Sequence, residues 1–221
     1  MIGAPAGSAR RGQTQHVNEG EAEWVVTFGD LMSLLFCFFV LLTTLSTAPK
    51  NCNGLVQYLE QNRELYRNFE LRNSKLECVI TLPSDYLFQT GQDRVQRPAL
   101  ERLRPLVRNI IQLPEHQNDL IIVEGHTDNL PIRTSRFPSN WELSSARATN
   151  VAAFMRDVGL PSARMSVRAY AESRPKVPYV DAVGNTLRGR ELDDARRANR
   201  RVEIILINPP TRPEEYGVLF R

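Results

Sequence analysis

The sequence predicts an α/β fold, an α+β sandwich built as β-α-β-α-β, carried behind a single transmembrane helix. Three observations predict it. One intensely apolar stretch, Trp24–Leu45, stands near the N-terminus of a chain whose mean hydropathy is only -0.34. From Leu76 onward, short runs rich in β-branched residues alternate with stretches of helical period. The length, 221 residues, accommodates one domain of ordinary size plus attachments.

The apolar stretch holds one charged residue, Asp30, in 22 positions, and about 20 apolar residues suffice for a helix to cross a bilayer core. A cleavable leader would put Pro49 directly after a cut at Ala48, and a lipoprotein signal would need a small residue rather than Phe36 before Cys37. An uncleaved anchor over residues 24–46 is therefore expected. Arg10 and Arg11 precede the span while Lys50, Arg63 and Arg67 follow it, a count that leans toward a cytoplasmic tail over residues 1–23. Asp30 lies roughly 9 Å into the segment, and a carboxylate at mid-helix costs about 2.5–3.5 kcal/mol on insertion scales. Ser33, Cys37 and Thr44 fall on its side of the helix and form one polar stripe. A structural hydrogen bond to a neighbouring helix would account for such a residue. So would a carboxylate that binds and releases a cation, the commoner meaning of an ionisable group in a membrane. One helix cannot enclose an ion path, so partner helices are expected.

Residues 47–75 read as a linker carrying an amphipathic helix. Leu55, Tyr58, Leu59, Leu65, Tyr66 and Phe69 recur at helical steps. That apolar face can pack on the following domain, pair with a second copy, or lie on the membrane as a plug. In a parallel dimer Cys52 would meet its own copy, so a Cys52–Cys52 cross-link is expected. Strands are predicted at Leu76–Leu82, Leu120–Glu124, Met165–Tyr170 and Val202–Ile207, and helices at Pro98–Gln112, Trp141–Val158 and Leu192–Ala198. Asn140 is the expected N-cap and Gly159 the expected stop of the middle helix. The domain then covers 76–208, and the proline-rich 209–221 forms a tail.

Composition narrows the function. Hydrophobic residues at 42% and charged ones at 24% exclude bulk disorder, and 28 basic against 25 acidic side chains give +3, too balanced to indicate a nucleic-acid partner. Three cysteines, Cys37, Cys52 and Cys78, exclude a disulfide scaffold and a zinc ribbon. His16, His116 and His126 share no metal-ligand spacing. No nucleophile–base pair or phosphate loop is signalled, so neither an enzyme nor a cofactor is expected. Polar residues instead gather at strand ends and helix starts: Asp128, Asn140, Ser144 and Arg147, then Arg196, Asn199, Arg200 and Arg201. An aspartate facing an arginine can grip a zwitterion, or can form a buried ion pair that only organises the fold.

IIVEGHTDN, NWELSSARATNV, AYAESRP and RRANRRVEIIL, in that order, resemble the OmpA-like peptidoglycan-binding domain. FPSNWELSSARA, with fourteen residues between Asp128 and Leu143, is similar to the stator B subunits (MotB/PomB type) of the flagellar motor, and TFGDLMSLLFCFFVLL resembles their membrane helix. The resemblance implies a single-pass inner-membrane protein with a periplasmic domain that dimerises. It implies peptidoglycan stem peptides held by Asp128 and Arg147, with diaminopimelate as the zwitterion, and Thr127, Asn140, Leu143, Ser144 and Arg200 around them. It also implies Asp30 as the binding site of a transported H+ or Na+, a channel completed by A subunits (MotA/PomA type), five around two B helices, and indirect action on the flagellar rotor. Three departures stand out: Gly29 where alanine or serine is common, a short linker from Ala48 to Lys75, and a long loop between Pro175 and Ala198. Rival readings are a non-conducting wall anchor and a stator-like subunit of an anti-phage defence complex.

Overall fold

The computed structural model describes residues 19–44 and 50–209. Most of the expected N-terminal tail, the end of the expected span and the C-terminal tail lie outside the described residues. The chain divides into two compact units, Met1–Ala48 and Pro49–Arg221.

Helix α1, Glu19–Thr44, makes up the described part of the first unit. Its apolar stretch Trp24–Leu42 has 19 residues, about 28 Å at 1.5 Å per residue, close to the thickness of a bilayer core. Asp30 and Cys37 are exposed on it. The Ser33 hydroxyl donates to the Gly29 carbonyl at 2.8 Å, so one member of the polar stripe is satisfied within its own helix.

The second unit is a five-stranded sheet, β1 (Glu70–Asn73), β2 (Glu77–Pro83), β3 (Leu120–His126), β4 (Met165–Ala171) and β5 (Arg201–Ile207), in the order β1-β2-β5-β3-β4. Only β3 and β4 run parallel. The period of two sorts each strand's side chains. Ile80, Ile121, Val123, Ile204 and Leu206 face a core shared with Leu103, Leu106 and Ile110 of α5 (Arg97–Gln112) and Val151 and Met155 of α6 (Asn140–Val158), whereas Val79, Ile122 and Ile205 form a smaller cluster on the other face. Proline in the first turn of α5 suits its missing N–H. Helix α6 ends at Gly159, whose φ of +122° favours glycine. Its N-cap is Ser139, not Asn140: the Ser139 hydroxyl accepts from the Trp141 N–H at 3.1 Å, which frees the Asn140 side chain for other work. Strand β1 escaped the sequence reading because ELRN has no β-branched residue. It is a polar edge strand, a composition that discourages pairing with other chains.

Residues 47–75 follow the first of the three possibilities the sequence left open: from Lys50 the chain packs on the domain, which therefore begins before the expected residue 76. Helices α2 (Asn53–Gln61) and α3 (Arg63–Tyr66) lay Leu55 and Tyr66 into the main core, both at most 3% exposed. Fully burying Leu55 stabilises this docking by about 2 kcal/mol. The Lys50 ammonium, itself buried, donates to both Asp119 oxygens at 2.6 and 2.5 Å and approaches His116 Nδ1 at 3.2 Å. A disulfide joins Cys52 to Cys78 at the start of β2. Cys52 is thus engaged within its own chain, and the expected Cys52–Cys52 cross-link is replaced by this bond.

Replacing both Cys52 and Cys78 by serine is expected to lower the unfolding free energy of the domain by about 2–5 kcal/mol. Urea midpoints of oxidised protein and variant measure the loss. Non-reducing electrophoresis of the parent chain is expected to show no disulfide-linked dimer through Cys52.

Candidate functional site

Strand β3 and helix α6 touch backbone to backbone at Gly125. A Cβ there would sit 2.2 Å from the Ser144 carbonyl oxygen, so only glycine permits the approach. Beyond β3 the chain is held by Ala171, whose φ of +48° is unusual for a residue with a side chain. Its carbonyl accepts from the Thr127 N–H at 2.8 Å and its N–H donates to the Ser144 hydroxyl at 3.3 Å. Ser144 therefore supports the site from behind, and it does not line the cleft as the sequence reading expected.

In front lies a cleft of about 400 Å³ lined by Thr127, Asp128, Asn140, Leu143, Arg147 and Arg200, the other six expected residues. Asn140 donates to the Leu130 carbonyl at 3.0 Å and shapes the loop after Asp128. Asp128 accepts from the Leu130 N–H at 3.1 Å through Oδ1 and from Arg200 Nη1 at 2.8 Å through Oδ2. Arg147 is 5% exposed, donates from Nε to the Gln92 carbonyl at 2.9 Å and lies 4.9 Å from the centre of the Phe88 ring. Among the described residues no carboxylate is within ion-pairing distance of it. Burial pulls its guanidinium down to about 10 in spite of Asp85 and Asp128 nearby. For Arg200, hydrogen bonds to Asp85, outweighing the opposing effect of burial, and then to Asp128 push the guanidinium above its ordinary value.

The sequence reading missed Asp85, on the short helix α4 (Ser84–Leu87), together with Phe88 and the Leu130–Ile132 lip. None of these falls in a helical or strand period, so no local pattern marks them. Asp30 belongs to α1 and is not one of the cleft residues.

A second polar group lies on the opposite face of the sheet. Glu124 and Glu203 are directly paired across β3 and β5, and with His126 their ligand atoms lie within 4.8 Å of one another. Arg168 Nη1 contacts Glu124 at 3.3 Å and Arg201 Nε contacts Glu203 at 2.6 Å, so both carboxylates already have counter-charges. The group is an ion-pair network. Burial raises the Glu124 carboxyl, but His126, with Nε2 3.7 Å away, and the charge of Arg168 outweigh it and hold it below the ordinary 4.5. Its ionised form is therefore favoured by folding: the stability it contributes is present above pH 4.5 and is lost as pH falls through the lowered value. Urea midpoints measured from pH 7 to pH 3 are expected to fall less steeply below pH 4.5 for Glu124→Gln than for the parent chain.

Two family models match the chain: the OmpA family over residues 87–188, and the model described as membrane MotB of the proton-channel complex MotA/MotB over residues 9–62. Uncharacterized protein YtxE of Bacillus subtilis is 29% identical, covering 89% of this chain and 93% of its own length. Motility protein B of the same species is 28% identical over 72% of this chain but only 56% of that protein. The outer-membrane lipoprotein YfiB of Pseudomonas aeruginosa is 32% identical over 63% of this chain and 71% of its own. Among solved structures, the cell wall anchor of the T6SS from P. aeruginosa superimposes with a TM-score of 0.55 at 25% identity, over 74% of this chain and all of that one. The periplasmic domain of Helicobacter pylori MotB does so at 0.54 and 23%, over 68% and 88%, a likeness of fold. Proteins of this kind are structural or anchoring rather than enzymatic. A MotB-type match around the apolar helix, followed by an OmpA match on a sheet with the fold of a MotB periplasmic domain, leads to one conclusion: the chain is a MotB-like member of the OmpA family.

Proposed function

We propose that the protein anchors to peptidoglycan and serves as the B subunit of an ion-driven stator in the inner membrane, with its domain in the periplasm. The observation that carries the anchoring half is Arg147, a buried cation without a carboxylate partner, in the same cleft as Asp128. A buried charge left unpaired is costly, and a ligand carboxylate that pairs with it recovers that cost. The zwitterionic end of diaminopimelate in a stem peptide fits: its carboxylate on Arg147, its ammonium on Asp128, its methylenes against Phe88 and Leu143. The conducting half rests on Asp30, a titratable group within an apolar helix, and on the MotA/MotB family match over residues 9–62. In this reading A subunits, five around two copies of this chain, supply the remaining walls of the path, and proton or sodium occupancy of Asp30 changes its charge by one unit. Each ion then delivers about 2.3 kcal/mol per 100 mV to the assembly, and through it to a flagellar rotor.

A second reading, a wall anchor without conduction, is favoured by the likeness to the T6SS cell wall anchor. One substitution separates the two. With the A subunit co-expressed, Asp30→Asn is expected to abolish ion flux and swimming while the two subunits still co-purify. Unchanged swimming would leave only the anchor.

The anchoring half is tested by sedimentation of the detergent-solubilised chain with purified sacculi. Arg147→Ala and Asp128→Ala are each expected to weaken binding about 10- to 100-fold, as for the loss of a charge-assisted hydrogen bond. Circular dichroism on the same samples checks the fold. Undiminished binding by both folded variants would place the wall contact elsewhere.

A further inference from the structure

Arg200 offers three N–H groups to two carboxylates, and it divides them unequally. Nε and Nη2 go to Asp85 at 3.0 and 2.7 Å, a two-pronged grip, while Nη1 alone reaches Asp128 at 2.8 Å. The pairing is built into the backbone: the Ser84 N–H donates to the Arg200 carbonyl at 2.9 Å, which sets Asp85 and Arg200 side by side. Arg147 and Arg200 are then balanced by Asp85 and Asp128, because Asp93, the other nearby carboxylate, is engaged by Arg136 and Asn150.

We propose that Asp85 is a specificity-determining residue, holding Arg200 so that Asp128 stays available to a ligand ammonium. The proposal rests on the reading of the cleft as a zwitterion site. An ammonium arriving at Asp128 displaces one bond from Arg200, whose other two remain on Asp85. The pocket was neutral and stays neutral, because a zwitterion adds no net charge. Without Asp85 both consequences reverse. Arg200 has Asp128 as its only carboxylate and can turn its two-pronged face onto it, occupying the ammonium's place. The cleft also gains one net positive charge, which favours a plain carboxylate. Asp85 therefore selects between ligand classes and does more than add affinity: the carboxylate beside an ammonium on one side, the carboxylate alone on the other. Its side chain is half exposed, so replacement leaves no buried vacancy.

The test is titration calorimetry on the detergent-solubilised chain with two synthetic stem tripeptides, one ending in meso-diaminopimelate and one in 2-aminopimelate, which lacks the side-chain ammonium. The parent chain is expected to prefer the first at least tenfold. Asp85→Asn is expected to bring the two within about threefold of each other, with tighter binding of the ammonium-free peptide, and Asp85→Glu to restore part of the preference. Thermal unfolding of each variant checks the fold. A preference unchanged in Asp85→Asn, or both peptides weakened by the same factor, would overturn the selective role while leaving the anchoring reading intact. A parent chain that binds neither peptide would overturn both, and one that binds both equally would overturn the role of Asp85 alone.

Discussion

The contact between β3 and α6 at Gly125 governs the rest of the cleft. With no Cβ between them, the Ser144 carbonyl and the strand backbone lie closer than any other residue would permit, and the first turns of α6 are drawn over the end of the sheet. Arg147 and Asp128 then line one cavity although they come from different layers. The left-handed Ala171 and its bonds to Thr127 and Ser144 belong to the same arrangement. A backbone of this kind costs about 1–3 kcal/mol, and it persists because the flanking sheet and helix over-determine it. Under the proposed zwitterion reading this rigidity has a use, since a cleft that is to discriminate between ligand charges must not relax when empty.

The domain buries charge in two different ways. Lys50, Asp119 and His116 form a compact group in which the ammonium and both carboxylate oxygens are satisfied, and Arg164 adds bonds to the carbonyls of His116 and Asp119. The opposite charges of Lys50 and Asp119 are matched to each other, so this group fastens the start of the domain to the turn before β3, with His116 Nε2 the one ring atom of the group that has no partner among the described residues. Arg147 has one backbone acceptor and an aromatic face instead. Lys50 and Arg147 are equally buried, and what distinguishes them is that Lys50 has a carboxylate partner and Arg147 has none among the described residues.

Much of the fold was legible in the sequence because strands β2 to β5 and helices α5 and α6 advertise themselves by period, and Gly159 by its chemistry. Strand β1 was not, since a charged edge strand lacks the apolar alternation that marks its neighbours. Residues 47–75 were ambiguous for a related reason. An amphipathic stripe says that a helix has a face to bury but not against what, so three surfaces stayed open until the structure showed the domain itself. The pairing of Cys52 with Cys78, two cysteines 26 residues apart, ties this segment to the domain together with the Lys50–Asp119 pair. The cleft divided similarly. Asp128, Asn140, Leu143, Arg147 and Arg200 lie in recognisable motifs, whereas Asp85 and Phe88 come from α4 and the residue after it, between β2 and α5, whose position depends on the completed sheet.

The disulfide has a mechanical meaning as well. A protein tethered through its N-terminal helix and held at its cleft carries tension between those points. Without the Cys52–Cys78 bond, that load would be carried by the Lys50–Asp119 pair and, once it gave way, would peel α2 from the core. With it, the load passes at Cys52 into Cys78, which is paired with Leu206 at one end of the β2–β5 ladder. It leaves at the other end, where Pro83 and His126 are both paired with Arg201 and where Asp128 and Arg200 stand. The force thus runs along the strands, perpendicular to the antiparallel hydrogen bonds. A ladder pulled in that direction is sheared, with all its bonds sharing the load at once, so under the proposed anchoring the central strands would form a tension member between membrane and wall.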